Sequence, residues 1–552
     1  MKWVNSAVLF NSYQFLFAFL PITLVGFFAL GAVSRMWALR WIIFVSLLFY
    51  AWWRPLNVLL IAPSILINFA LARTLQRLSE DERGRRTSRL VLLLGIAFNI
   101  AFLGYFKYID FGRNTINDIF SANLVLTQVI LPLGISFITF QKIAFLVDVH
   151  AKRVKAFTFQ DYALFVLFFP QLIAGPIVHY REMMPQFHSA SCRFNKENFA
   201  VGLTLLSFGL FKKVVLADHI ATVVTPIYNE AASGNEVSLL LAWAAAVGFT
   251  LQIYFDFSGY SDMALCLARF FGLRLPQNFY SPLKASSIID FWLRWHITLT
   301  RFLTAYIYNP LTLWLTRRRV AKGRPGLAGS NTTIGAFIYL LVFPILLTMF
   351  VSGLWHGAAY GFVVWGLLNG VYLTTNHAWR LIRPQLWSDR QRYERLMLPL
   401  GRLLTFTSVA VAMVFFRSPT LTSAIDLIKG LIGHNGVALP QDVFDHLGPL
   451  AGWLLRGGVV SVGPELWSGQ EFARMVIWIF VSLLIALTCP NTLQILARYE
   501  PALGVKPLAA KFADRRLVEW DPCIGWAIGM SIITAMGIFF VGGQSEFLYW
   551  QF

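Results

Sequence analysis

The stretch QFLFAFLPITLVGFFALGAVS, residues 14–34, decides the class of fold, because it runs for 21 residues without a charged side chain. About 20 apolar residues in a helix are enough to cross the hydrocarbon core of a bilayer. Small residues at its end resemble a weak signal-cleavage site, but the run is longer than the apolar core of a secretory signal. We therefore predict that the segment is retained as the first membrane span.

Similar apolar runs recur along the whole chain, several of them interrupted by proline, glycine or polar residues. Broken helices are tolerated in a bilayer only where they pack inside protein or line a wet cavity. The pattern predicts an all-α polytopic membrane protein with about 11 to 13 spans, forming a single integral-membrane domain over residues 1–552. The further runs lie at 38–54, 56–72, 89–106, 122–149, 159–178, 198–216, 237–257, 333–352, 357–376, 400–416, 473–489 and 523–542.

The composition supports a membrane protein: 57% of the residues are hydrophobic and 13% are charged, against about 25% charged in soluble domains. The net charge of +19 comes from basic residues in short loops between apolar runs, which is the positive-inside pattern of membrane topology. We therefore predict the lipid bilayer as a partner and exclude a soluble enzyme and nucleic-acid binding. The basic loops lie at 73–89, 152–155, 317–324 and 380–395.

Two stretches are too polar to be spans. Residues 273–330 mix proline, arginine, tryptophan and aspartate and predict interfacial helices followed by a basic loop. Residues 432–470 contain several glycine turns and predict an extramembrane loop.

The first of these stretches contains LPQNFYSPLKASSIIDFWLRWHITLTRFL, residues 275–303, whose second half predicts an amphipathic helix. Asp290 and Arg294 are four residues apart and can pair along it. His296 falls on or beside the aromatic side, where it is either a functional residue or part of a membrane-anchoring surface. The apolar side consists of Ile288, Phe291, Trp292, Trp295 and Leu299.

A second histidine lies in VSGLWHGAAYGFVVWG, residues 351–366. Ionisable residues within spans usually face the protein interior and mark a pathway or a reaction centre. The small residues after His356 permit a close approach of backbones. The alternative interpretation is a histidine that bonds a neighbouring helix.

The sequence contains no motif for other common chemistries. HExxH and Cys/His clusters are absent, which predicts no metal site. The G-x-S-x-G elbow, the P-loop and G-x-G-x-x-G are absent as well. Histidine as a general base remains, with an ordinary pKa of about 6.5. Its task would be to activate a hydroxyl for attack on an activated acyl group.

Three stretches, FDFSGYSDMALCLARFFG (255–272), residues 275–303 and VSGLWHGAAYGFVVWGLLNG (351–370), together resemble the membrane-bound O-acyltransferase family, nearest to the bacterial alginate and peptidoglycan O-acetyltransferases. The likeness extends to AVLFNSYQFLFAFLPI (7–22), LPLGISFITFQKIAFLVDV (131–149), QLIAGPIV (171–178), VFFRS (414–418) and FLYWQF (547–552).

The resemblance implies a ring of helices around a central tunnel. It implies that His356 is the base or acyl-transfer histidine and that His296 positions the donor or the acceptor. The same motifs supply candidate substrate-binding residues, which are Asp290, Arg294, Trp295, Trp355 and Asn278.

The chain departs from the family pattern after the His296 motif. Relatives carry an aspartate where this chain has Ala305, and a glycine pair after it is missing. The basic run TRRRVAKGR (316–324) follows instead. It is interpreted as a solvated cytoplasmic face, or alternatively as a contact for the phosphates of coenzyme A.

The function that the resemblance implies is transfer of an acetyl group from acetyl-CoA across the bacterial inner membrane to an extracytoplasmic polysaccharide, with no bound cofactor. A separate periplasmic acetyltransferase is a candidate partner. Two alternatives stay open: a D-alanyl-type transferase that uses a carrier-protein thioester, and a transporter or flippase for a lipid-linked glycan.

Overall fold

The computed structural model describes residues 9–80, 84–125, 129–329, 332–463, 467–506, 508, 518–542 and 548. Of the C-terminal motif at 547–552, only Leu548 lies among them. The first helices are α1 (Leu20–Val33), α2 (Arg35–Trp53), α3 (Leu56–Glu80), α4 (Arg85–Leu103), α5 (Ile109–Phe120), α6 (Ile135–His150), α7 (Phe159–Leu167), α8 (Phe169–Leu172), α9 (Tyr180–Ser189), α10 (Lys196–Leu210), α11 (Asp218–Ala232) and α12 (Leu239–Phe270).

The remaining helices are shorter on average and include the predicted site. They are α13 (Ile288–Trp292), α14 (Ile297–Leu303), α15 (Asn309–Val320), α16 (Ile334–Phe337), α17 (Phe343–His356), α18 (Tyr360–Leu386), α19 (Arg390–Arg417), α20 (Leu421–Leu431), α21 (Gln441–His446), α22 (Pro449–Arg456), α23 (Gly469–Thr488), α24 (Thr492–Ile495) and α25 (Ile524–Phe539).

Short π-helical segments join several of these helices end to end. Such segments are uncommon and often occur at functional sites. They lie at Phe15–Phe19, Gly104–Tyr108, Phe211–Ala217, Thr304–Tyr308 and Ile338–Val342, while Pro282–Lys284 and Ala497–Tyr499 are 3₁₀ turns.

Nine helices within the described ranges are long and apolar enough to cross a membrane, which confirms an all-α polytopic fold. They account for nine of the predicted runs. The spans are Phe15–Val33, Arg35–Trp53, Leu56–Leu78, Arg85–Phe120, Lys196–Ala232, Leu239–Phe270, Ile334–His356, Arg390–Arg417 and Gly469–Tyr499.

The other four predicted runs form helices that are shorter or more polar. In the run 122–149, Pro132 and the left-handed Gly134 delay the helix until Ile135. The run 159–178 is divided between α7 and α8, which are nine and four residues long. The run 357–376 lies in α18, where Asn369 and other polar residues lower the hydropathy, and 523–542 gives the 16-residue α25.

The described residues group into two compact units. Among the described residues, the first unit comprises those up to Phe211, Ser258–Asn278 and those from Thr492 onward, and the second comprises those of Lys212–Phe257 and Phe279–Asn491. Whether the chain functions as a single domain stays a prediction.

Buried polar side chains connect helices of the first unit. The amide of Asn68 in α3 and that of Asn99 in α4 hydrogen-bond each other, with N–O distances of 3.2 and 2.6 Å. Lys142 in α6 donates from Nζ to Oγ of Ser64 at 2.6 Å. Hydrogen bonds between helices are a common means of association in membranes.

In the second unit, α17 and α18 form a tight antiparallel hairpin. A side chain on Gly353 would collide with the carbonyl oxygen of Phe362, and one on Gly366 with that of Met349. Because neither position carries a side chain, the backbones approach closely. The predicted close approach after His356 is confirmed at Gly361, where a side chain would collide with the carbonyl oxygen of Phe415 in α19.

Residues 432–470, predicted as a loop, contain regular structure. Strand β1 (Val437–Pro440) pairs in parallel with β2 (Val459–Val462), and α21 and α22 form the connection between them. A parallel pair needs such a crossover because the chain must return to the same end before the second strand starts. Left-handed glycines, among them Gly448 and Gly458, form the turns.

Candidate active site

His356 is the last residue of α17, and only 4% of its surface is exposed. The next residue, Gly357, leaves the helix in an extended conformation. A side chain at Gly357 would collide with the ring of Phe362. The glycine therefore allows α18 to begin directly beside the imidazole.

His296 is completely buried in the turn between α13 and α14, in the left-handed conformation with φ +42° and ψ +50°. That conformation costs an ordinary L-residue about 1–2 kcal/mol. Strained residues of this kind persist only when the surrounding structure fixes them, and they cluster at functional sites.

The predicted continuous helix through His296 is wrong, because residues 293–296 interrupt it. The carbonyl of Arg294 accepts a hydrogen bond from the backbone N–H of Tyr280 at 2.9 Å, which diverts it from the helical ladder. The predicted apolar side is nevertheless buried at all five positions, namely Ile288, Phe291, Trp292, Trp295 and Leu299.

The turn and the end of α17 bring the two histidines together. Their ring centroids are 6.2 Å apart, with 58° between the ring planes. Trp355 lies against both of them, with centroid distances of 4.9 Å to His356 and 5.9 Å to His296. Trp355 was a predicted substrate-binding residue, and its position beside both imidazoles is consistent with that role.

Three further aromatic rings surround the pair, and sequence reasoning did not single them out. Phe257 in α12 lies edge-on to His296 at 4.8 Å. Trp365 in α18 and Phe416 in α19 lie edge-on to His356 at 5.0 and 5.2 Å. All three occur in the motifs that carry the family resemblance, but nothing in the sequence indicates that they contact a histidine.

Burial determines the charge state of the first histidine. Desolvation lowers the pKa of His296 to about 3, so its imidazole is neutral near pH 7. A neutral imidazole has one nitrogen that donates a hydrogen bond and one that accepts. His296 is therefore suited to orient a neutral group, not to supply a positive charge.

The separation of the rings suits two-sided contact with one small group. A hydroxyl or acyl carbonyl between centroids 6.2 Å apart can approach both rings within hydrogen-bonding distance, about 2.7–3.2 Å. Ser352, one helical turn before His356, adds a buried hydroxyl whose Oγ lacks a hydrogen-bond partner within the part of the chain that the structure describes. That the two imidazoles hold and deprotonate a hydroxyl stays a prediction.

The other predicted substrate-binding residues lie in different settings. Arg294 Nε and Asp290 Oδ1 are 2.9 Å apart, which confirms the predicted pair. Trp295 is buried and stacks on Phe291 at 5.5 Å. Asn278 is buried in the first unit. The substrate-binding roles stay predictions.

A buried ion cluster lies one residue before Phe257, an aromatic contact of His296. Lys213, in the π-helical segment Phe211–Ala217, has its Nζ 2.8 Å from Oδ1 of Asp218 and 2.6 Å from Oδ1 of Asp256. Asp256 directly precedes Phe257, whose ring packs on His296. The cluster therefore fixes the part of α12 that covers the first histidine.

The segment that departs from the family pattern is at the surface. Ala305 is exposed in the π-helical segment Thr304–Tyr308. In the basic run that follows, Arg318 lies over the ring of Trp314 at 5.3 Å, and Nε of Arg319 donates to the carbonyl of Pro325 at 2.7 Å. A contact of this run with coenzyme A stays a prediction.

Across the ranges that the structure describes, no group of three or more His, Cys, Asp or Glu side chains is placed to hold a metal ion. The described site supplies two imidazoles, the buried hydroxyl of Ser352 and the surrounding aromatic rings.

Fold and site together define a multi-pass membrane protein with a paired-histidine centre. The model of the membrane-bound O-acyltransferase family matches residues 150–323. The peptidoglycan O-acetyltransferase of Helicobacter pylori is 38% identical over 462 residues, which are 78% of this chain and 81% of that protein. The chain belongs to the membrane-bound O-acyltransferase family.

Other relatives differ in the substrates that their names give. The Pseudomonas aeruginosa protein named "Probable alginate O-acetylase AlgI" is 34% identical, with 76% of this chain and 73% of that protein covered. The teichoic acid D-alanyltransferase of Bacillus subtilis is 28% identical, with 51% and 66% covered. Family membership confirms the prediction of an acyltransferase, and the transporter alternative is not retained.

Proposed function

We propose that this protein takes an acetyl group from cytoplasmic acetyl-CoA and passes it across the bacterial inner membrane for O-acetylation of an extracytoplasmic polysaccharide. The observation that carries the proposal is the pair of buried imidazoles, 6.2 Å apart, at the junction of α14 and α17. The names of the O-acetyltransferase relatives support acetyl as the transferred group.

His356 acts as the general base in this proposal. Its imidazole takes the proton of the acceptor hydroxyl, and the hydroxyl oxygen then forms a bond to the thioester carbonyl carbon. The carbon–sulfur bond breaks, and coenzyme A leaves as its thiol after taking up the proton. Positioned general bases contribute about 10²–10⁴-fold to such rates.

His296 is a positioning residue in this mechanism. Because its imidazole is neutral, it can donate one hydrogen bond to the carbonyl oxygen of the donor, or accept one from the acceptor hydroxyl. The acceptor hydroxyl belongs either to the polysaccharide or to a periplasmic acetyltransferase that completes the transfer.

The proposal is tested with His356→Ala in membranes that contain normal amounts of the protein. We expect polysaccharide O-acetylation, measured by mass spectrometry, to fall by about 10²-fold or more. His377→Ala is the matched control, because His377 is a partly buried histidine on the neighbouring helix α18. Undiminished acetylation in His356→Ala would remove the proposal.

A carrier-protein thioester is the second candidate donor, favoured by the D-alanyltransferase relatives, which are 27% and 28% identical over 51% of this chain. Release of free thiol from acetyl-CoA by the purified protein supports the first donor. Activity that appears only when an acylated carrier protein is added supports the second.

A further inference from the structure

A concave pocket of about 110 Å³ lies in the second unit, and none of its lining residues belongs to the histidine site. It is bounded by the end of α11, the start of α12, both strands and the start of α23. The exposed residues Asn235 and Glu236 form part of its rim, so the pocket opens to solvent. The lining residues that matter below are Glu230, Glu236, Ser238, Trp467 and Phe472.

The connectivity of the second unit indicates the side of the membrane on which the pocket lies. Because α17 and α18 are antiparallel, the start of α16 and the end of α18 lie at the same end of this hairpin. The basic residues at 317–324 and 380–395 belong to that end, since Arg319 approaches Gly335 at the start of α16. The positive-inside rule makes this end cytoplasmic.

The helix α19 then crosses back, so the segment 418–468 lies at the opposite, extracytoplasmic end. This segment carries both strands of the pocket. The pocket therefore faces the compartment in which the proposed acceptor polysaccharide is found.

The lining combines aromatic and hydrogen-bonding groups. Trp467 and Phe472 supply apolar ring surface, against which the C–H face of a pyranose can pack. Glu230 and Glu236 supply carboxylates, which accept hydrogen bonds from hydroxyl and amide donors. Asn235 donates to Oε2 of Glu230 at 2.5 Å, which holds that carboxylate in place.

Ser238 gives an independent indication of a ligand. Its side chain is 93% buried (7% exposed), and its Oγ has no hydrogen-bond partner within the described residues. A buried hydroxyl without a partner is unfavourable, because the group has given up its hydrogen bonds to water. A sugar hydroxyl relieves this, because it can both donate to Oγ and accept from it.

The charge of the lining restricts the kind of sugar. Two of the described lining residues are glutamates, and none is lysine or arginine. A uronate carboxylate in this pocket would be repelled by both glutamates and would lack a cation to pair with. A neutral hexose or an N-acylated amino sugar meets no such repulsion.

We propose that this pocket binds one uncharged pyranose ring of the acceptor polysaccharide, so that the acceptor is a neutral or N-acylated amino-sugar glycan and not a polyuronate. This inference rests on the proposed function for the presence of a glycan acceptor. It adds the chemical class of that acceptor and the surface that recognises it.

The test uses the full-length purified protein in detergent and two probes of equal length, a tetramer of N-acetylglucosamine and a tetramer of mannuronic acid. Binding is measured by isothermal titration calorimetry without an acyl donor. We expect the neutral tetramer to bind at least about tenfold more tightly than the uronate, and Trp467→Ala to weaken its binding by about tenfold.

Two further variants keep the test decisive. Trp453→Ala, on the exposed helix α22 outside the pocket lining, should leave neutral-glycan binding unchanged. Glu236→Lys, at the exposed rim, should reduce the preference for the neutral tetramer or reverse it, because a lysine can pair with a uronate. Glu236→Lys also tests the pocket proposal if Trp467→Ala fails to fold.

The proposal is overturned if neither Trp467→Ala nor Glu236→Lys changes binding, or if the uronate binds as tightly as the neutral tetramer. Binding of a lysine-rich peptide in place of both glycans would also overturn it and indicate a protein-docking surface. Failure of the pocket proposal alone appears as absent glycan binding in protein that still releases thiol from acetyl-CoA. Failure of the proposed function alone appears as Trp467-dependent glycan binding without thiol release.

Discussion

Two buried polar groups of the second unit are partnered in opposite ways. Lys213 is neutralised by two carboxylates, whose oxygens lie 2.8 and 2.6 Å from its Nζ. His296 and His356 instead contact each other and the aromatic rings around them, at centroid distances of 4.8 to 6.2 Å. The first arrangement pairs full charges, whereas the second encloses imidazole rings, which can be buried in their neutral form.

The difference separates a structural role from a chemical one. Buried charges persist only when they are paired, so the lysine cluster must stay intact for the unit to fold. An imidazole is inexpensive to bury in its neutral form and can still take up a proton. Changes at the cluster should therefore alter stability first, and changes at the histidines should alter transfer first.

The largest expected effect tests the structural half of this comparison. Lys213→Met leaves Asp218 and Asp256 buried without the cation, which typically destabilises a protein by about 3–5 kcal/mol. We expect a strong loss of folded protein in a thermal-unfolding assay monitored by size-exclusion chromatography. Lys429→Met is the control, because the Lys429–Asp426 pair is exposed and such pairs contribute little. Normal folding of Lys213→Met together with loss of acyl transfer would contradict this prediction, because it would give the lysine cluster a chemical role instead of a structural one.

The sequence predicted more of the fold than of the site. Apolar length identified all nine described spans, because burial of a helix in lipid depends mainly on local composition. The four runs outside these nine are those in which proline, glycine or polar residues shorten a helix or lower its hydropathy, as Pro132 and Gly134 do. Such breaks are visible in the sequence, but where the helix resumes depends on packing.

The surroundings of the site depend on contacts between distant segments. Phe257, Trp365 and Phe416 come from three different helices, and no local pattern indicates that their rings meet at two histidines. The left-handed turn at His296 was missed for the same reason, since a hydrogen bond from Tyr280 diverts the chain there. Helical periodicity alone predicts that the helix continues through His296.

The second prediction has a smaller expected effect and concerns the histidines: their contribution to stability should depend on pH. Folding lowers the pKa of His296 from its ordinary 6.5 to about 3. Between these two pH values the imidazole is protonated in the unfolded chain and neutral in the native protein. The stability contributed by burying the neutral ring is present above pH 6.5 and declines as pH falls toward 3. Between pH 7.5 and pH 5 this amounts to roughly 2 kcal/mol.

The measurement compares the unfolding free energy of the wild type with that of His296→Asn, which does not titrate. We expect the wild type to lose more stability than the variant on acidification. His356 is a titratable side chain in ring contact with His296, so His356→Asn is made in parallel to separate the two titrations. An equal loss in wild type and His296→Asn would mean that folding does not lower the pKa of His296.

The third prediction has the smallest expected effect and distinguishes the backbone strain at His296 from the role of its imidazole in acyl transfer. His296 has φ +42°, a conformation that glycine adopts freely and alanine does not. His296→Gly should therefore be more stable than His296→Ala by about 1 kcal/mol, as measured by thermal unfolding. Both variants lack the imidazole, so both should lose transfer activity to the same extent. If activity followed stability instead, with the glycine variant clearly more active, the ring would serve packing, and His296 would belong with Lys213 on the structural side of the comparison.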